Sequence, residues 1–329
     1  MSRAQLTSTV EQNSAGAAAP VVAGKNLAIN GLQEIWQRGT SFSGAGVYTS
    51  DRWYSGTANT TYAQETSVVP TGIRYAMKMT TSTTGVAPTI WQAVETANAI
   101  QFAGQTVTLS FYARSTDAVA ALIRLDYSTT SDTAVTGSYT SIGASTPATT
   151  STGYTRVSAQ FAVPSNALTL RLIIGAGANL SNGGSFYITG IQLEAGSVAT
   201  PFSRTGGTLQ GELALCQRYY QRINNNPSGY GGFGSGFASA TTNVRIDCFL
   251  PVQMRALPSA IDYSTLSSTF SLFNGTAQFT PSAITYNSNE SYVNIVHLDF
   301  TVSGATQYAP FKGFFQAASA GYIGFSAEL

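Results

Sequence analysis

The sequence predicts an all-β chain: an antiparallel jelly-roll or β-sandwich domain, a short helical junction, and a second, smaller β-sandwich. Three observations carry this. Apolar and polar residues alternate in short runs, the period of strands with one buried face. The runs recur at fairly regular spacing between Gly, Ser, Asn and Thr clusters, as in antiparallel sandwiches. Helical spacing stands out in one segment. The 329 residues exceed the roughly 100–200 of a typical domain, which suggests two domains with ample core.

Residues 1–24 are small and polar with few large apolar side chains. They cannot form a core and are expected to be an extended arm that anchors the chain to a larger assembly. The arm lacks the apolar centre of a signal peptide, so the chain is expected to be made in a cytoplasm.

Residues 25–203 are expected to form the jelly roll. They open on "NGLQEIWQRGTSF" and "YTSDRWY". Trp36 and Trp53 are expected to pack in the core of the opening strands. Arg38 and Arg52 are expected to pair with the few carboxylates, Asp51 and Glu34 included. Alternation continues through "TVTLSFYARS", "ALIRLDYST", "TRVSAQFAVP", "LTLRLIIGAG" and "SFYITGIQLEAG". The Ser/Thr/Gly-rich segment 129–152 is expected to be an exposed loop.

Residues 204–226 form the junction. "TPFSRTGG" breaks the strand pattern, and Leu209, Leu213, Cys216, Tyr219 or Tyr220, and Ile223 then recur at helical spacing. A helix is expected over 209–223, stopped by "NNNPSGYGG". Residues 227–329 return to β alternation in "NVRIDCFLPVQM", "TFSLFNGTAQF", "SYVNIVHLDFTV" and "YIGFSAEL". The Asn-Gly of "FNGT" predicts a two-residue hairpin turn.

Composition narrows function. Charged residues make up 9% of the chain and the net charge is +1, against a typical charged share of about 25%. No basic patch stands out, so nucleic acid is not an expected partner. No apolar run approaches the roughly 20 residues of a membrane span. The two cysteines, Cys216 and Cys248, match no zinc spacing and are expected to be buried thiols.

No cofactor motif or nucleophile motif is present, and no catalytic residue is assigned. The single histidine, His297, lies within a strand pattern and is read as structural. Glycosidases need only two carboxylates. Asp51, Glu65, Glu95, Asp126 and Glu194 are the candidates, and nothing in the sequence pairs them. Glu34 and Glu194 lie in the first and last strands, where sugar-binding jelly rolls often hold Ca²⁺, but no Asp-rich loop supports a metal. Sugar recognition would use ring faces with amide or guanidinium donors. The 17 Tyr, 17 Phe and 3 Trp suit this and suit sheet cores equally. Two clusters are singled out: Tyr230, Phe233 and Phe237 in "GYGGFGSGF", and Tyr308, Phe311, Phe314 and Phe315 in "QYAPFKGFFQ". Of these, Tyr230, Phe233, Phe237, Tyr308 and Phe311 are the ligand-binding candidates.

"KNLAINGLQEIWQRGTSF" with "YTSDRWY" resembles the start of a jelly-roll domain of bacteriophage tail-fibre and related virion proteins. "IQLEAGSVATPF" with "GELALCQRYYQ" resembles that domain's end and the junction beyond it. "PVQMRALPS" and the terminal "SAEL" resemble the C-terminal domains of the same proteins. The likeness runs from about Lys25 to the C-terminus. It implies a virion location, a homotrimer, and attachment to a bacterial surface glycan or protein receptor; with no catalytic motif in the sequence, the chain is expected to be non-enzymatic. Residues 1–24 would then hold other virion proteins, and residues 227–329 would contact the host. On that reading Leu209, Leu213, Cys216 and Tyr220 are candidates for a threefold seam. The alternatives are a head or neck fibre or decoration protein without a receptor, and a capsule depolymerase.

Overall fold

The computed structural model describes residues 25–225, 229–316 and 320–329. The anchoring arm at 1–24 lies outside the described residues, as does Pro227 at the expected end of the junction.

The first unit is a jelly-roll sandwich of two antiparallel sheets. One sheet has the order β1 (Ser41–Ser43), β3 (Thr60–Glu65), β4 (Ala76–Thr81), β11 (Ser185–Ala195), β6 (Thr106–Ser115), β9 (Thr155–Ala162). The other has the order β2 (Tyr54–Ser55), β5 (Thr89–Val94), β10 (Thr169–Ala176), β7 (Ala121–Ser128), β8 (Thr140–Ser145). Period-two alternation decides which side chains face in. Leu109 and Phe111 on β6, Phe186 and Ile188 on β11, Ile123 and Leu125 on β7, and Leu172 and Ile174 on β10 meet between the sheets. Trp53 is fully buried in this core, whereas Trp36 is half-buried at its edge and stacks on Phe42.

The segment 129–152 is not all loop. It contains β8, an edge strand on β7, and Val135 within it is buried. Its Ser and Thr side chains face water from an edge strand, so composition alone hid the pairing.

β10 and β11 are buried along nearly their whole length, although antiparallel sheets usually leave one face wet. Chain from outside the sandwich covers part of each outer face. Residues 196–203 strap the six-stranded sheet: Thr108 Oγ1 bonds the Gly196 carbonyl at 2.7 Å, and Thr200 N–H donates to Glu194 at 2.9 Å. The junction helix and the C-terminus cover part of the five-stranded sheet. There Ile29, Ile35, Ala93, Val135, Cys216, Tyr219 and Leu329 form a separate apolar cluster.

The helix spans Leu209–Gln217, capped by Thr208 Oγ1 accepting from Gly211 N–H at 3.0 Å. It ends earlier than its spacing predicts. The last expected turns become β12 (Tyr220–Asn224), which pairs residue for residue with β21 (Tyr322–Ser326). A partner strand about a hundred residues away outweighs local helical spacing. Glu212 fixes the helix to the jelly roll by accepting the backbone N–H groups of Asn30 and Gly206.

The second unit is the smaller sandwich. Its large sheet runs β17 (Gln278–Phe279), β16 (Phe270–Phe273), β20 (Pro310–Phe315), β13 (Gly232–Ala240), β14 (Asn243–Phe249), β19 (Ile295–Thr301), β18 (Ala283–Tyr286). Its small sheet is β12, β21 and β15 (Ala260–Tyr263). Phe233, Phe270, Phe300, Phe315, Ile323 and Phe325 share the core between them. The "FNGT" hairpin joins β16 to β17, but the pairing of Phe273 with Gln278 leaves four residues in the loop instead of two. Asn274 Oδ1 explains the longer turn: it accepts from the N–H groups of Thr276 and Ala277 at 3.0 and 2.8 Å.

The terminal "SAEL" crosses back to the first unit. Glu328 pairs with both Arg38 and Arg52, and Leu329 accepts from Tyr48 Oη at 2.7 Å and from Val135 N–H at 3.0 Å. This corrects the expected partners of the two arginines. Glu34 instead takes Arg204 at 2.8 Å, and Asp51 accepts from Gln37.

Candidate functional site

The outward face of the five-stranded sheet gathers rings around a fixed charge. On β5, Ile90 and Val94 enter the core, which turns Trp91 and Ala93 outward. Register then sets two rows. Tyr54, Trp91, Ile173 and Arg124 lie across four strands, and beside them lie Ala93, Arg171 and Asp126.

The rings form a shelf. Tyr54 and Trp91 lie 6.1 Å apart at 32°, and Tyr48 meets Tyr54 edge-on at 5.3 Å. Trp91 Nε1 donates to Thr89 Oγ1 at 3.1 Å, which sets the ring's orientation. Gly56 lies against the indole edge. A Cβ there would come within 2.4 Å of Trp91 Nε1, so only glycine allows the ring its place.

Arg171 is held from three sides. Its Nε and Nη2 donate to Asp126 Oδ2 at 3.2 and 2.7 Å, and its Nη1 donates to the Val135 carbonyl at 3.0 Å. Arg124 holds the other Asp126 oxygen at 2.7 Å. The guanidinium lies 4.2 Å from the Tyr139 ring centre and 5.2 Å from that of Trp91. Burial pushes the Tyr139 phenol up, so it stays neutral beneath the cation. Of the five N–H donors of Arg171, three have these partners. The rest of the group is oriented without needing to reorganise.

Between the rings and this arginine lies a groove of about 410 Å³, lined by Tyr54, Ser55, Gly56, Trp91, Thr136 and Arg171 among others. Such a surface can stack the apolar face of a pyranose and hydrogen-bond its hydroxyls. A second groove, about 390 Å³, runs between the two units beside Arg38, Tyr48, Tyr220 and Tyr322. Its ring faces are already taken: Arg38 lies 3.5 Å from the Tyr220 centroid and Arg222 lies 3.4 Å from that of Tyr322.

The ligand-binding candidates from sequence fall into two groups. Phe233 and Phe311 turn inward and are buried in the distal core, which corrects their expected exposure. Gly313 receives the Phe233 ring so closely that a Cβ there would lie 2.4 Å away. Tyr230, Phe237 and Tyr308 are exposed. Phe237 and Tyr308 are neighbours, since Tyr308 N–H bonds the Ala238 carbonyl at 2.8 Å. Tyr230 sits apart against Phe314.

Of the seam candidates, Leu209 is exposed and Leu213 is partly buried against the apolar cluster on the five-stranded sheet. Cys216 and Tyr220 are buried within one chain, the latter between Arg38 and Asp262. Their surface is consumed internally and offers nothing to a second copy. Both cysteines are buried free thiols, and burial pushes each thiol up.

Most candidate carboxylates have structural partners. Glu95 takes Arg218 and Arg255, Asp126 takes two arginines, and Asp51 is buried against Gln37. Glu65 accepts three successive backbone N–H groups. Lys25 lies 3.2 Å from Glu194, its ammonium standing where a cation on that carboxylate would sit. No group of three or more metal-ligating side chains occurs among the described residues. His297 pairs with Asp247 on the outer face of the distal sheet.

No family model and no curated protein matches the sequence. Among solved structures, a candidate sugar-binding protein of Bacteroides thetaiotaomicron is similar at 14% identity and a TM-score of 0.37, covering 52% of this chain and all of that one. The enzymatically active domain of tailspike protein 4 of bacteriophage CBA120 is similar at 15% identity and a TM-score of 0.36, covering 52% of this chain but 21% of that one. The xylan-binding domain CBM22-1 of Paenibacillus barcinonensis is similar at 11% identity and a TM-score of 0.33, covering 55% of this chain and all of that one. These likenesses are too distant to transfer any residue.

Proposed function

We propose that the chain is a non-catalytic, glycan-binding fibre protein of a bacteriophage virion, acting in attachment to the host surface. The observation that carries glycan binding is the Tyr54–Trp91 shelf beside the pinned Arg171 in an open groove. The virion assignment rests on the sequence resemblance of the opening strands, the junction and the terminal "SAEL". In this reading a homotrimer presents three copies of a weak site, and avidity makes attachment firm. Residues 1–24 join the particle. The groove lies on the first unit, so host contact is shared between it and the exposed aromatics of the distal unit.

The test is affinity electrophoresis of the purified chain through gels containing surface polysaccharides from candidate hosts, with Trp91→Ala alongside. The expected result is retardation by at least one polysaccharide, with retention falling about 30-fold in the variant, as for an interface anchor worth about 2 kcal/mol. Equal retention of the two proteins would remove the groove from the binding mechanism. Release of new reducing ends would overturn the non-catalytic reading.

A further inference from the structure

The outward face of the other sheet carries a different chemistry. Met77 and Met79 on β4, Phe186 and Ile188 on β11, and Phe111 and Ala113 on β6 face the core. Alternation therefore turns Lys78, Tyr187, Tyr112 and Arg114 outward. Lys78, Tyr187 and Arg114 are directly opposite one another on three adjacent strands. One row along, Tyr112 is opposite Arg156 on β9. Each cation lies over a ring: Lys78 and Arg114 at 5.8 and 5.3 Å from the Tyr187 centroid, Arg156 at 5.9 Å from Tyr112, and Arg74 at 5.1 Å from Tyr75. Beside them opens a groove of about 520 Å³ lined by Ser67, Pro70, Thr71, Arg114, Thr152 and Tyr154 among others. The Tyr154 ring stands edge-on to Tyr187 at 6.5 Å.

The charge balance distinguishes this face. Lys25, Arg38, Arg52, Arg124, Arg171, Arg204, Arg218, Arg245 and Arg255 all have a carboxylate within ion-pair distance. Among the described residues, Arg74, Lys78, Arg114, Arg156, Arg222 and Lys312 have none; Lys78, Arg114 and Arg156 lie on this face, and Arg74 stands two residues before β4. Arg114 is steadied by a bond to the Ser151 carbonyl at 2.9 Å, and Arg156 keeps a buried Nε with no partner. The carboxylate beside the patch, Glu65, is committed to the backbone of residues 66–68. Glu65 is the carboxylate whose charge reaches this group, through Lys78, so one negative charge stands against four cations held by tyrosines. Lys78 and Arg114 stand two strand spacings apart, about 10 Å, which lets one extended chain present an acid group to each.

We infer that this face is a second binding site, and that it takes a carboxylate-bearing polysaccharide. The acid groups pair with Lys78 and Arg114, and the sugar hydroxyls meet the hydroxyl-rich rim at Ser67, Thr71 and Thr152. The site is independent of the Trp91 groove, which lies on the opposite sheet.

The experiment compares retention on polygalacturonate with retention on its fully methyl-esterified form, which keeps the sugar and removes the charge. A deoxythymidine oligomer serves as a non-sugar polyanion. The wild-type chain is expected to bind polygalacturonate, more weakly at raised salt, and to ignore the other two. K78Q/R114Q is expected to lose about tenfold or more, as for charged hydrogen bonds, while the charge-conserving K78R/R114K retains binding and Trp91→Ala is unaffected. Equal binding of the methyl ester, full binding by K78Q/R114Q, loss in K78R/R114K, loss in Trp91→Ala, or equal binding of the oligomer would each overturn the assignment.

Discussion

Removing the Glu328 carboxylate is expected to loosen the whole molecule. Arg52 is 1% exposed, and its ion-pair partner is Glu328, whose side chain is 5% exposed. Its Nη2 bonds the Ala93 carbonyl at 2.7 Å, its guanidinium lies 3.5 Å from the Tyr219 centroid, and its Nε has no partner. Burial opposes the charge on this arginine, yet the Glu328 charge beside it holds the guanidinium firmly protonated. Glu328→Ala therefore strands a buried cation, a change that costs about 3–5 kcal/mol. Both side chains are almost wholly buried, so water screens little of that. Arg38 loses its partner as well. At roughly 2–4 °C per kcal/mol for a larger domain, the melting temperature should fall by about 10 °C. Glu328→Gln, which keeps a hydrogen bond, should fall by less. Replacing the pair together, R52M/E328L, should recover much of the loss, because an apolar pair needs no compensation. Calorimetry of the four proteins checks this. A drop of under about 1 kcal/mol in Glu328→Ala would refute the reasoning, since it would mean that water reaches Arg52 freely.

Gly56→Ala should displace the Trp91 indole, weaken glycan retention, and cost about 1–3 kcal/mol of stability by overpacking, read from retention and from urea midpoints. Native protein should leave a thiol reagent unconsumed, and denatured protein should react at both Cys216 and Cys248, because burial raises both thiols. Acid should release the strap at residues 196–203. Burial alone would raise the Glu194 carboxyl, but bonds from Thr200, Gln192 and Lys25 win and hold it below its ordinary value of 4.5. A lowered carboxyl contributes fully above that ordinary value and loses its contribution as pH falls through the lowered one. Hydrogen exchange at the Thr200 amide should accelerate across that acid range, and should not do so in Glu194→Gln, whose baseline exchange is already raised.

Period-two alternation determined the fold class and many of the longer strands by itself, because each strand needs only its own side chains to declare an inward face. "TVTLSFYARS" became β6 residue for residue, and "YIGFSAEL" supplied β21. The same local logic located a helix after the first sandwich, and it buried Trp53. It failed where a distant segment competes for the backbone: Tyr220–Asn224 is a strand because β21 is there to receive it. It failed again where one residue's role depends on a neighbour far along the chain. Arg38 and Arg52 wait on Glu328, and Trp91 becomes part of a shelf only when β5 lies between Tyr54 on β2 and Arg171 on β10. "TIWQAV" does carry a local signal, since its alternation turns Trp91 away from Ile90 and Val94. Strand order, which no alternation encodes, decided that this ring would meet a pinned guanidinium, and that Lys78, Arg114 and Arg156 would collect on the opposite sheet.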